Sequence, residues 1–151
     1  MDKIKLNLID VEAPIIPWEG MGGIKLYSTI KELRPLLENR EDVKAVVYHN
    51  MWVKYTIKNI MELFFHLANG KLFKIVTLEG YKGKLFGKIG VRTKEKELLK
   101  IEPSFVYEDF EEVFESEKGV FLQTDPITQR ATWITVYIKE LFNDDFGEAN
   151  W

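Results

Sequence analysis

The 151-residue chain has no cysteine and only two histidines, and it contains no apolar run of about 18 residues. Without cysteine there are no disulfides, thiol nucleophiles, Cys-ligated zinc or Fe–S clusters, and a reducing compartment suits the chain. Without a long apolar run there is no membrane-spanning helix in view. The opening MDKIKLNLID has neither the basic n-region nor the apolar stretch of a secretory signal, which predicts a cytoplasmic protein. The five prolines and ten glycines never cluster with serine into a linker, so a single domain is expected over 1–151. At this length about 68–70% of the unfolded surface can be buried, and a core can form without staples.

The formal net charge of −3 hides an asymmetry. Residues 1–101 carry 18 Lys/Arg against 12 Asp/Glu, a surplus of six positive charges, whereas 102–151 carry 3 against 12, a surplus of nine negative ones. Exposed charges so divided set up opposed potentials, and the acidic part is a candidate docking surface for something basic.

The chain also echoes itself at a shift of 65 residues. Ile24-Lys25-Leu26-Tyr27-Ser28 falls on Ile89-Gly90-Val91-Arg92-Thr93, and Lys31-Glu32-Leu33 falls on Lys96-Glu97-Leu98. Ser28 and Thr93 suit N-caps, because a hydroxyl there can accept from an orphan amide of the first turn. The spacing of Ile30, Leu33, Leu36 and Leu37, and of Leu98 and Ile101, predicts short helices over 29–38 and 94–101, limited by Pro35 and Pro103. Asn69-Gly70 between two apolar arms predicts a hairpin over 63–76. A second hairpin is expected over 113–122, turning at Glu117 to Gly119. A strand is expected over 132–138, with Ile134, Val136 and Ile138 opposite Trp133, Thr135 and Tyr137. Less regular strands are expected at Val43–Tyr48 and Trp52–Ile57, an edge strand at Ile4–Ile9, and a loose tail at Ala149–Trp151. The resulting expectation is an α+β fold: an antiparallel sheet with two short helices packed on one face, in two related helix–hairpin repeats at about 22–86 and 87–141.

Little in the sequence carries chemistry. His66 lies in the Phe-rich arm of a hairpin and His49 before a turn, and neither has a linear partner for a triad or a metal site. Gly20-Met21-Gly22-Gly23 and Gly80 to Lys84 lack the GxxxxGK[ST] spacing of a phosphate loop and read as turns. No catalytic residue, metal or cofactor is assigned. The lysines of 71–100 are interleaved with Glu79, Glu95 and Glu97, which argues against direct nucleic-acid binding.

The distinctive segment is acidic. Glu108, Asp109, Glu111, Glu112, Glu115 and Glu117 interleave with Phe110, Val113 and Phe114. Acids of this density can steer a basic partner, with Phe110 or Phe114 as anchors, and can mimic phosphate. The repeated unit, with its glycine, its short strand ending in Ser28 or Thr93, and its helix carrying Glu32-Leu33 or Glu97-Leu98, resembles the tandem repeat of beta-lactamase inhibitory protein and the unit of BamE-like lipoproteins. Both are folds used mainly for binding. In its small size, absence of cysteine, acidic surface and lack of a catalytic motif, the chain also resembles bacterial toxin-immunity proteins of contact-dependent growth inhibition and related polymorphic toxin systems. That resemblance implies a non-enzymatic inhibitor that neutralises a cognate toxin domain, often a nuclease, and the acidic segment itself makes Glu108, Asp109, Phe110, Glu111, Glu112, Phe114, Glu115 and Glu117 the expected contact residues. The aromatic-rich strands suggest an alternative, a small-ligand-binding or sensory module.

Overall fold

The computed structural model describes residues 9–38 and 41–151. The edge strand expected at Ile4–Ile9 lies outside them, apart from Ile9 itself, which is buried in a bend. A small ladder, β1 (Gly20–Met21) with β2 (Ile24–Lys25), precedes the main sheet. The main sheet has eight strands: β3 (Val43–Val47), β4 (Trp52–Ile57), β5 (Met61–His66), β6 (Leu72–Thr77), β7 (Phe105–Glu108), β8 (Val113–Ser116), β9 (Val120–Thr124) and β10 (Ala131–Tyr137). Their spatial order is β3-β4-β5-β6-β10-β9-β8-β7, and every pairing is antiparallel. Two four-stranded meanders thus meet through their last strands.

This architecture overturns the α+β expectation of two helix–hairpin repeats with helices covering one face. The molecule is mostly antiparallel β, and among the described residues the α-helices are α1 (Arg34–Leu37) and α2 (Glu95–Ile101), of four and seven residues. The strands read as less regular at 43–48 and 52–57 are full members of the sheet. The physical reason for the short first helix lies in where the backbone of 27–30 bonds. Tyr27 N–H donates to Leu72 O, Leu72 N–H to Ser28 O, and Ile30 N–H to Gly70 O, so the segment is tied to β6 before a helix can begin.

The same three bonds recur in the second half: Arg92 N–H to Ala131 O, Ala131 N–H to Thr93 O, and Glu95 N–H to Gln129 O. Tyr27 and Arg92, 65 residues apart, both adopt positive φ, at 71° and 83°. Ser28 and Thr93 are therefore pinned to strands and do not cap helices. Thr29 and Glu32 instead close the turn before α1, with Glu32 N–H donating to Thr29 Oγ1 at 3.1 Å and Thr29 N–H to Glu32 Oε1 at 3.0 Å, the reciprocal pattern of a capping box, while the helix itself begins after Leu33 without a side-chain cap. The Thr93 hydroxyl accepts from Gly90 N–H.

One face of the sheet is the core. Ile57, Met61, Leu63, Phe65, Ile75, Val120, Ile134 and Val136 are fully buried there, alternating with residues of the opposite face as strand geometry requires. Ile15, Met21, Ile24, Leu26, Leu36, Tyr81, Leu85, Ile89 and Leu98 join them in one cluster. The close approach is visible at Gly22, where a Cβ would lie 2.7 Å from Met61 Cε. The Tyr81 hydroxyl donates to Ala13 O at 2.6 Å, and burial pushes its pKa up to about 12.

The seam between the meanders is short. β6 and β10 share the pairs Val76–Thr135, Ile75–Val136 and Lys74–Tyr137. Beyond them the Ile134 N–H donates to the fully buried Thr77 Oγ1 at 2.8 Å. Thr77→Val keeps the shape and orphans that N–H, so it should cost about 1–3 kcal/mol. Thr77→Ser should retain most of the stability. Urea unfolding of the two variants measures the difference.

Candidate aromatic and acidic groove

The opposite face of the sheet is only partly covered, and its open part is the candidate site. One registered row crosses seven strands on this face: Thr56, Glu62, Val76, Thr135, Phe121, Glu115 and Val106. Val76 and Thr135 at the seam are small and buried, while the flanking strands carry Phe64 and Phe121. With strands about 4.8 Å apart, β5 and β9 stand roughly 14 Å apart, which leaves a trough between aromatic walls. The trough has a volume of about 650 Å³, and Trp52, Phe64, Lys74, Glu111, Glu115 and Trp133 are among its lining residues. Trp133 (41% exposed) and Phe142 (64% exposed) present large apolar surface to solvent.

One end of the face is closed by the chain after β10. The 3-10 turns Lys139–Phe142 and Phe146–Glu148 fold back across it. The Tyr27 hydroxyl, its pKa pushed up to about 12 mainly by burial, donates to Glu140 and anchors the first turn. Further on, Phe146 and Trp151 stack at 5.1 Å over Phe73, which also meets Trp52 at 4.8 Å. Asn69 Nδ2 and Lys71 Nζ donate to the Trp151 carbonyl, and Trp151 Nε1 donates to Phe146 O. The loose tail expected at Ala149–Trp151 is thus a packed lid over an aromatic cluster.

His66 is enclosed in that cluster, 1% exposed. Its Nδ1 accepts from Ala68 N–H at 3.1 Å, which places the proton of the neutral ring on Nε2, and Nε2 has no hydrogen-bond partner. The ring meets Phe146 and Trp151 edge to face. Burial holds its pKa below the usual histidine range. The structure gives the imidazole a packing role.

Lys74 is the unusual charge. Its ammonium stands 4.1 Å from the Phe64 ring centroid and 5.4 Å from that of Trp52, and burial lowers its pKa. The nearest carboxylate field is that of Glu62, but Glu62 pairs with Lys54 at 3.3 Å and accepts from the Thr56 hydroxyl. Among the described residues no carboxylate lies within ion-pair distance of Lys74.

The acidic residues singled out in the sequence are dispersed around the β7–β8 hairpin. Glu111 and Glu115 line the trough. Glu108 turns back to accept from the Phe110 and Glu111 amides, shaping its own turn. Asp109 and Phe110 occupy the tip, with Phe110 89% exposed. Glu112, in a positive-φ turn position, faces a neighbouring hollow with Tyr107 and Trp133, and Glu117 sits at the β8–β9 turn beside a third. Phe114 is 6% exposed in the core cluster, which removes it as an anchor. Glu62 and Lys74 were missed as site residues, whereas Trp52, Phe64 and Trp133 belong to the aromatic strands behind the small-ligand alternative. The alternation of Glu62 and Phe64 with the buried Met61, Leu63 and Phe65 was the available signal. Among the described residues no three His, Asp or Glu side chains converge as metal ligands.

The neutral His66 yields a pH dependence. Its folded-state pKa lies below the unfolded value of about 6.5, so its stabilising effect is complete above that pH. It declines as pH falls from there through the folded-state pKa, because the unfolded chain takes up the proton first. The melting temperature of the native chain should fall between pH 7.5 and 5, and His66→Phe should flatten that segment of the curve; thermal unfolding at stepped pH checks it.

Comparison with known proteins finds no matching family model, no matching curated protein and no matching solved structure.

Proposed function

We propose that this chain is a non-enzymatic inhibitor of the toxin-immunity kind, working in the cytoplasm, which binds a basic toxin domain, of nuclease type, on the open face of its sheet. The observation that carries the reading is the trough itself: an aromatic-walled concavity with Glu111 and Glu115 on one side, in the half of the chain that holds the acidic surplus. Trp133, Phe121 and Phe142 supply the apolar area from which interface hot spots are made. The carboxylates supply long-range steering toward a positive surface. Phe110 at the hairpin tip lengthens the contact, and Asp109, Glu112 and Glu117 form its rim, where charges alter association more than final affinity.

No helix among the described residues is long and apolar enough to cross a membrane. The partner is sought by co-purification with a basic domain encoded beside this chain's gene and by assay of that domain's nuclease activity.

Replacing Glu111 and Glu115 together by Lys should slow association and weaken binding by roughly tenfold or more at low salt, with a smaller effect at high salt. Surface plasmon resonance at two ionic strengths reads both changes. Unchanged kinetics would remove the acidic wall from the interface, and undiminished nuclease activity in the complex would end the inhibitor reading.

A further inference from the structure

We infer that the Lys74 end of the trough is a seat for a small aromatic carboxylate, with the Lys74 ammonium as its charge partner and the Val76–Thr135 seam as the floor for its ring. This goes beyond the protein-docking reading, because it concerns the Lys74 end of the trough, although Phe121, Trp133 and Phe142 are common to both.

The inference starts from an imbalance. A lysine on a central strand is normally paired or extends into water, since burying an isolated ammonium is costly. Lys74 does neither completely. Two ring faces hold its ammonium, and cation–π attraction of this kind offsets part of the lost hydration without neutralising the charge. Its diagonal neighbour Glu62 is engaged by Lys54, and the Lys54 charge opposes the Glu62 field at Lys74. The protein therefore supplies position and desolvation for this cation but no anion.

The surroundings define what the anion should be attached to. Lys74 stands beside Phe64 on one strand and Tyr137 on the other. Val76, two positions along the same strand and on the same face, lies about 6.6 Å away, a spacing that an arylacetate bridges between its carboxylate and its ring. Above that floor stand Phe64, Phe121, Trp133, Leu141 and Phe142, all lining the trough. Planar apolar walls with a few placed polar groups are the usual composition of a small-molecule site; Lys74 is the cation among the lining residues, and of the carboxylates there Glu62 is paired with Lys54. Glu111 and Glu115 on the far side disfavour a second negative charge, so the fit is to a monoanion.

The test uses 1-naphthaleneacetate and its neutral amide, which share the ring and differ in charge, titrated calorimetrically into the full chain. The acid should bind at least tenfold more tightly than the amide at pH 7. Lys74→Met should abolish that preference while leaving the weak amide binding within about twofold, since Met keeps the apolar stem. The Glu111→Gln, Glu115→Gln chain, which removes the acids without adding a cation to the trough, should retain the preference, which separates this site from the protein-docking wall. Equal binding of acid and amide by the native chain, or binding of neither, overturns the proposal even if Lys74→Met fails to fold. Retention of the preference by a folded Lys74→Met chain overturns it as well.

Discussion

The antiparallel pairing of β6 with β10 is the constraint on which the rest of the molecule depends. Three residue pairs, the Thr77–Ile134 bond and the Ile138 N–H to Phe73 O bond join the two meanders into one sheet. Each meander is local in sequence, closed by short turns, and inexpensive in loop entropy. The seam is the long-range contact, and the echo of 24–29 at 89–94 serves it. In both halves a positive-φ residue and a three-bond bracket fasten the pre-helical segment to the first residues of the strand that forms the seam. Helix length is sacrificed to that bracket.

The seam also determines what the open face can be. Side chains at its centre, Val76 and Thr135, are short, whereas one strand out stand Phe121 on β9 in the same row and Phe64 on β5 in the adjacent row, so a trough follows from composition along two neighbouring register rows. The core face has no such freedom, because the irregular segments before β3 and between β6 and β7 press onto it. On the open face the returning chain covers Phe73 with Phe146 and Trp151 and sets Phe142 against Tyr137 and Phe121, leaving Val76 and Thr135 as the floor of the trough. The result is a sheet with one face buried except at its edge strands, where Val47 and Tyr107 are exposed, and one face half buried, half presented.

Much of this was legible in the sequence, and the exceptions have identifiable causes. The Asn69-Gly70 hairpin, the turn at Gly119 and the alternation of Ile134, Val136 and Ile138 stand where their residue chemistry placed them. The helix over 29–38 was misread because an apolar i, i+3 pattern also fits a segment whose Ile30 and Leu33 pack from turns. The orientation of Phe73 departs from simple strand alternation for a different reason. Strict alternation puts it with Ile75, but a bulge opposite Phe64 and Phe65 adds a residue to β6, and Phe73 joins the aromatic cluster on the other face. A bulge leaves no mark in composition. The acidic run was visible, but its division between trough, hairpin tip and self-capping turn depends on a turn geometry that charge counting cannot see.

The two ends of the trough differ in how their charge is held. Glu111 and Glu115 belong to the hairpin at the edge of the second meander, where water and salt screen them and their influence is mainly on approach. Lys74 lies on a central strand among aromatic rings, where screening is weak and an opposite charge brought into contact gains most. An occupant satisfying both ends would be steered by one and held by the other. Because the first end belongs to β8 and its turn and the second to β6, the distance between them is fixed by the same seam that joins the meanders, and loosening that seam would uncouple the two.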